Sequence, residues 1–103
     1  MSIELKSDSY PVNHRQFLAR MLTNLKMIYL ERQEWEKALA AVERILLLFP
    51  DLPMELRDRG LLYYQMGDWT AASEHLETYL AKVPSAKDDL AIHQLLNYLS
   101  RKT

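Results

Sequence analysis

Two stretches of this chain write nearly the same phrase, EWEKALAAVERILLLFP at residues 34–50 and DWTAASEHLETYLAKVP at residues 68–84. They lie 34 positions apart, and the coincidence reaches beyond them. Leu22 falls on Leu56, Tyr29 on Tyr63, Trp35 on Trp69, Ala38 on Ala72, Glu43 on Glu77, Leu46 on Leu80 and Pro50 on Pro84. A period of this length holds two helices and a turn. Such a unit cannot bury its apolar face alone, so neighbouring units stack and share a core. The repeat therefore constrains the chain to an all-α solenoid of helical hairpins.

Apolar spacing marks the helices within each period. Phe17, Leu18, Met21, Leu22, Leu25, Ile28 and Tyr29 recur at helical intervals. Asn13 followed by Gln16 has the spacing of a capping box and predicts the start of this first helix. It should end between Glu31 and Gln33. A second helix opens at Glu34 or Trp35 and carries Trp35, Ala38, Leu39, Val42, Ile45, Leu46 and Phe49 on one stripe. Pro50 ends it, because the residue before proline avoids helical geometry. A third helix begins around residues 51–53, with Leu56, Gly60, Leu62 and Tyr63 inward, and stops at Met66-Gly67. Asp68 caps a fourth, which repeats the stripe as Trp69, Ala72, Leu76, Tyr79, Leu80 and Val83. After Pro84, Ser85 is placed to cap a fifth helix with Asp88 and Asp89 at its positive end and Ile92, Leu95, Leu96 and Leu99 on its apolar face. Residues 1–10 have no helical period. Ile3 and Leu5 alternate with polar residues there, as in a short strand, a peptide lying on another surface or an unstructured terminus.

Composition narrows the function classes. The chain has 103 residues, enough for one small domain, and 49% of them are hydrophobic. The formal net charge is −1 with no basic stripe, so nucleic acid is not an expected partner. There is no cysteine, which excludes disulfides, thiolate metal sites and cysteine nucleophiles within this chain. No apolar run approaches the roughly 20 residues that cross a bilayer, and residues 1–10 lack a signal-peptide core, so a membrane is not expected either. The expected compartment is the cytoplasm. His14, His75 and His93 fall on different helices without ligand spacing. No catalytic residue, metal or cofactor is expected.

The repeated residues resemble the tetratricopeptide repeat. The first unit supplies Leu22, Leu25, Lys26, Tyr29, Ala38, Val42 and Pro50; the second supplies Leu56, Arg59, Gly60, Tyr63, Ala72, Leu76 and Pro84. Three residues depart from that pattern: Lys26 stands where glycine is usual, Arg59 where leucine is usual, and Tyr79 where a small residue is usual. The resemblance implies an α-α superhelix of two hairpins, with a tail or junction at residues 1–12 and a repeat domain at residues 13–103. Repeat 1 would span about 19–52, repeat 2 about 53–86, and a capping helix about 86–101. The phrases at Arg20-Met21-Leu22, Asn24-Leu25-Lys26, Ile28-Tyr29-Leu30, residues 41–50 and residues 55–62 are similar, more narrowly, to the C-terminal part of bacterial proteins of the Salmonella invasion regulator B type. In that family a transglutaminase-like domain precedes the repeats. The resemblance implies that residues 1–12 are a junction to such a domain or an expression start. With no cysteine present, no nucleophile carries over to this chain.

Stacked hairpins leave the first helix of each unit lining a concave face. By offset, its residues are Arg20, Thr23, Met27 and Leu30, then Met54, Arg57, Leu61 and Tyr64, then, with two residues added after Pro84, Leu90, His93 and Asn97. Met, Leu, Tyr and Arg together suit a peptide-binding surface; packing against neighbouring residues is the other reading of Met27, Leu30 and Leu61. The Lys and Asn pattern by which some tetratricopeptide modules grip a C-terminal carboxylate is absent, since Thr23, Met27 and Leu61 hold those positions. Arg59 sits at an inward offset and is expected to find a carboxylate or reach solvent. Leu47 is surplus to its stripe and is a candidate oligomer contact on the convex face; partial cover by Lys or Arg stems is its other reading. The leading expectation is an interaction module whose partner is a protein or peptide. Two alternatives stand beside it. One is an accessory, regulatory region whose partner is the N-terminal transglutaminase-like domain of the same protein. The other is a self-associating module that forms a homodimer to cover its ends.

Overall fold

A computed structural model describes residues 11–84 and 87–102, with side chains from residue 14 onward. The readings of residues 1–10 and of Ser85 as a cap lie outside these residues. Five helices follow one another: α1 (Pro11–Glu31), α2 (Trp35–Leu48), α3 (Pro53–Gln65), α4 (Trp69–Lys82) and α5 (Asp89–Ser100). Packing is strictly sequential, α1 on α2, α2 on α3, α3 on α4 and α4 on α5, and no other helix pair packs closely among the described residues. The result is an elongated stack, 54 × 30 × 19 Å, of two antiparallel hairpins with α5 closing one end. Ala38, Val42 and Leu46 from α2, Leu56 and Leu62 from α3, Ala72, Leu76 and Tyr79 from α4, and Ile92 and Leu99 from α5 form one continuous core.

The period of 34 is reproduced in the hydrogen bonds. At the end of α1, Glu34 N–H donates to Tyr29 O at 2.9 Å and Gln33 N–H to Leu30 O at 3.0 Å. At the end of α3, Asp68 N–H donates to Tyr63 O and Gly67 N–H to Tyr64 O, both at 3.0 Å. This is the Schellman pattern, which satisfies the last carbonyls of a helix by placing one residue in the left-handed region. Gly67 takes that place at φ 81°, and Gln33 takes it at φ 58° despite its Cβ. Trp35 and Trp69 then open α2 and α4 in matching positions, both packed against the core. Asp68 caps α4 by accepting from Ala71 N–H at 3.1 Å, whereas Glu34 makes no such bond to α2.

Gly60 of α3 lies directly against Leu76 of α4. A Cβ at that position would lie 2.7 Å from both Cγ and Cδ2 of Leu76 and 3.1 Å from its backbone nitrogen. Leu76 is fully buried, so the absent side chain of Gly60 is what lets it seat, and that burial stabilises the hairpin by about 1.5–3 kcal/mol.

Two expectations are corrected. Helix α1 begins at Pro11, so Asn13 lies inside the first turn and not ahead of it. Proline is suited to that opening position, where its missing donor costs no intrahelical bond. The apolar stripe of α1 is also only half used. Leu18, Leu22 and Tyr29 are partly buried, but Phe17, Met21, Leu25 and Ile28 are exposed, because α1 has a neighbour only in α2.

Candidate functional site

The backbones of α1, α3 and α5, the first helices of successive units, do not pack on one another directly. Charged side chains span the gaps. Lys26 on α1 is 2% exposed, and its Nζ donates to both carboxylate oxygens of Glu55 at 3.0 Å and to Asp58 Oδ2 at 3.1 Å. Glu55 is 5% exposed. Asp58 also accepts from Arg57 Nη2 at 3.3 Å, and Arg57 Nη1 reaches Asp88 Oδ2, just before α5, at 3.4 Å. Asp88 Oδ1 in turn accepts from the Tyr79 hydroxyl of α4 at 2.6 Å. A relay of ions and hydrogen bonds thus runs from α1 through α3 to the entry of α5.

The relay perturbs its members in directions that follow from these contacts. Asp88 is held below the usual carboxylate range, first by the Tyr79 hydroxyl and then by Arg57, against the opposing effect of burial. The Tyr79 hydroxyl is pushed up by its bond to the Asp88 carboxylate and by burial. Burial pulls the Arg57 guanidinium down, but Asp58 and Asp88 outweigh it and leave Arg57 raised.

The residues assigned to the concave face divide into three groups. Leu30 and Leu61 are brought together, lining a cavity of about 180 Å³ with Trp35, Asp58, Leu62 and Gln65. Arg57, Tyr64 and Thr23 are engaged within the fold. Arg57 belongs to the relay, the Tyr64 ring lies tilted on Trp69 at 5.7 Å, and the Thr23 hydroxyl donates to Ala19 O at 2.8 Å. Arg20, Met27, Met54, Leu90, His93 and Asn97 are exposed. Met27, Met54 and Leu90 are 51%, 58% and 70% exposed, one large apolar side chain on each of α1, α3 and α5. Among the described residues the His93 ring pairs only with Asp89 of its own helix, at 3.1 Å.

The relay itself was missed by the sequence reading. Its signal was present: a lysine at the position Gly60 holds in the next unit, and two carboxylates, Glu55 and Asp58, one turn apart on the facing helix. Of the two expectations set for Arg59 the second holds: it pairs with no carboxylate among the described residues, is only partly buried and lines an open groove, although its Nε is buried without a hydrogen-bond partner. Among the described residues no three His, Cys, Asp or Glu side chains converge as metal ligands, and no helix is long and apolar enough to cross a membrane.

Comparison with known proteins agrees with this arrangement. The chain is similar to the UPF0162 protein of Xylella fastidiosa strain Temecula1, 43% identical over 75 residues that cover 73% of this chain and 27% of that protein. It is 28% identical over 90 residues to Protein SirB1 of Salmonella typhimurium, covering 87% of this chain and 34% of that one. It is 29% identical over 87 residues to the UPF0162 protein YchA of Escherichia coli K12, covering 84% and 32%. The chain thus spans about a third or less of the length of these curated relatives. No solved structure matches it significantly. A family model described as tetratricopeptide repeat matches residues 25–97, the span that holds the paired Schellman turns, the paired tryptophans and most of α5. With sequence period, hydrogen bonding and helix packing in register over that span, the chain belongs to the tetratricopeptide repeat family and is related to the bacterial SirB1 and UPF0162 proteins.

Proposed function

We propose that this chain is a protein-interaction module that holds a peptide or a neighbouring domain against the face formed by α1, α3 and α5. The observation that carries the reading is the exposure of Met27, Met54 and Leu90, large apolar side chains at the groove offsets of α1, α3 and α5. Methionine adapts its shape to different partners, and the Leu30–Leu61 cavity offers a seat for one further side chain. Arg20, Thr23, Arg57, Leu61, Tyr64, His93 and Asn97 would frame the contact. Because the relay holds α3 and α5 in place beforehand, little ordering entropy is lost on binding. The unit proposed to act is residues 13–103, in the cytoplasm, without catalysis. The test is affinity capture from the source cell with wild-type bait and with the double variant Met27→Glu, Met54→Glu. Both positions are exposed, so the variant should keep its fold, as thermal melting will check, while losing its partner. Equal capture by both baits rejects this face.

A second reading is favoured by one observation: the curated relatives are about three to four times as long as the part this chain matches. On that reading the module docks or regulates a further domain of the same polypeptide, of the transglutaminase-like kind. The remainder of the Xylella fastidiosa relative, made as a separate polypeptide, should then bind this chain with a Kd on the order of micromolar, about −8 kcal/mol. Absence of binding by calorimetry removes this reading and leaves the first standing.

A further inference from the structure

We propose a second binding site, on the opposite side of the stack, for a peptide that carries a carboxylate beside an apolar side chain. Helices α2 and α4 flank α3 without packing on each other, and an open groove of about 690 Å³ lies between them with α3 as its floor. Its floor is Leu56 and Arg59; its walls include Glu43, Arg44, Leu47 and Lys82.

Three features of the groove point to that ligand. The first is Arg59. One period earlier its place is taken by Leu25, a residue that costs nothing to bring near apolar neighbours. Arg59 instead brings a guanidinium between two outer helices, with no ion pair among the described residues and a buried Nε that bonds to nothing. A partly buried charge without a counter-ion is costly, and a ligand carboxylate supplies the missing partner. The second is the charge balance. Arg44 also makes no ion pair among the described residues, while Lys82 is occupied by Asp51 at 3.0 Å. Two arginines therefore face one carboxylate, Glu43, which leaves the groove one positive charge in excess, and Glu43 disfavours a run of acids over a single one. The third is Leu47, which is 81% exposed at the groove wall and offers an apolar ledge next to the arginines.

The test is a titration of the isotopically labelled chain, followed by amide chemical shifts, with two acetylated and amidated peptides, SLELLS and SLKLLS. The acidic peptide should shift Arg44, Leu47 and Arg59 and bind at least about fivefold more tightly than its lysine counterpart. Binding should weaken as salt is raised, because both arginines lie near the surface. Arg44→Gln and Arg59→Met should each weaken it by about tenfold and Leu47→Ser by about threefold. Should Arg59→Met fail to fold, Arg44→Gln and Leu47→Ser, both exposed, carry the test. Equal affinity for the two peptides, or no effect of Arg44→Gln and Leu47→Ser, overturns the proposal. So do shifts confined to Met27, Met54 and Leu90. Shifts at Leu47 that grow with protein concentration alone assign the groove to a second copy and overturn the peptide site as well.

Discussion

Replacing Lys26 by methionine removes the cation that Glu55 and Asp58 share. The replacement keeps the length of the stem, so the loss is one of charge more than of packing. Lys26 lies 3.0 Å from Glu55 and 3.1 Å from Asp58, with side-chain exposures of 3%, 7% and 18% for the three. Breaking a buried pair by removing one partner typically costs about 3–5 kcal/mol, because the remaining charge is left uncompensated. Asp58 keeps Arg57, so the main loss falls on Glu55, and the expected cost is at the lower end, about 3 kcal/mol. Against a total stability of roughly 5–15 kcal/mol for a domain this size, that is a large fraction. With a urea slope of about 1–3 kcal/mol/M, the unfolding midpoint should fall by about 1–3 M. The double variant Lys26→Met, Glu55→Met replaces both ions with apolar groups and should recover to within about 1 kcal/mol of wild type. Urea unfolding of the two single variants and the double one completes the cycle, with an expected coupling of at least about 2 kcal/mol. A cost below about 1 kcal/mol for Lys26→Met, or a double variant as unstable as the sum of the singles, would refute the assignment of Lys26 as the shared counter-ion.

Three more outcomes follow from the geometry. Gly60→Ala should destabilise the chain by about 1–3 kcal/mol, since its Cβ would meet both the side chain and the backbone nitrogen of Leu76; a neutral thermal melt would contradict that close approach. Gln33→Gly should raise stability by about 0.5–1 kcal/mol by relieving the left-handed backbone at φ 58°, and a loss in urea unfolding would show that the side chain matters more than the backbone there. His75 lies stacked on Tyr63 at 5.0 Å, and burial, then the Arg59 charge, hold its imidazole below the usual value of 6.5. The unfolded chain therefore binds this proton more readily than the folded one, so stability is full above the usual histidine value and declines as pH falls through it. His75→Phe keeps the stack and should flatten the melting temperature between about pH 7 and 5, whereas an unchanged slope would place that pH dependence elsewhere.

The repeat was legible because it is written in local terms. Apolar spacing, prolines after helix ends and the cap Asp68 all act within a few residues, and the matching of Trp35 with Trp69 follows from register alone. What escaped was settled across the stack. The stripe of α1 looks continuous from Phe17 to Ile28, but spacing cannot tell whether a second helix arrives to cover it, and only α2 does. Lys26 reads as a misfit within its own repeat, and its role depends on two carboxylates that come 29 and 32 residues later. Repeat offsets place Arg57 on the groove face. It is tied to Asp88 across the turn into α5, a contact that local periodicity does not encode.

The ion relay also bears on how the arc responds to its medium. Apolar contacts join each helix to its sequential neighbour, whereas the spacing from α1 to α3 is spanned by Lys26 and that from α3 to α5 by Arg57 and Asp88. Mobile counter-ions screen charges buried at the Lys26 end only weakly, yet they reach the half-covered Arg57–Asp88 link and the open Lys82–Asp51 pair more easily. In brine the spacing of α1 from α3 should persist while the hold of Arg57 on Asp88 slackens, so ionic strength loosens the closing helix without softening the base of the stack.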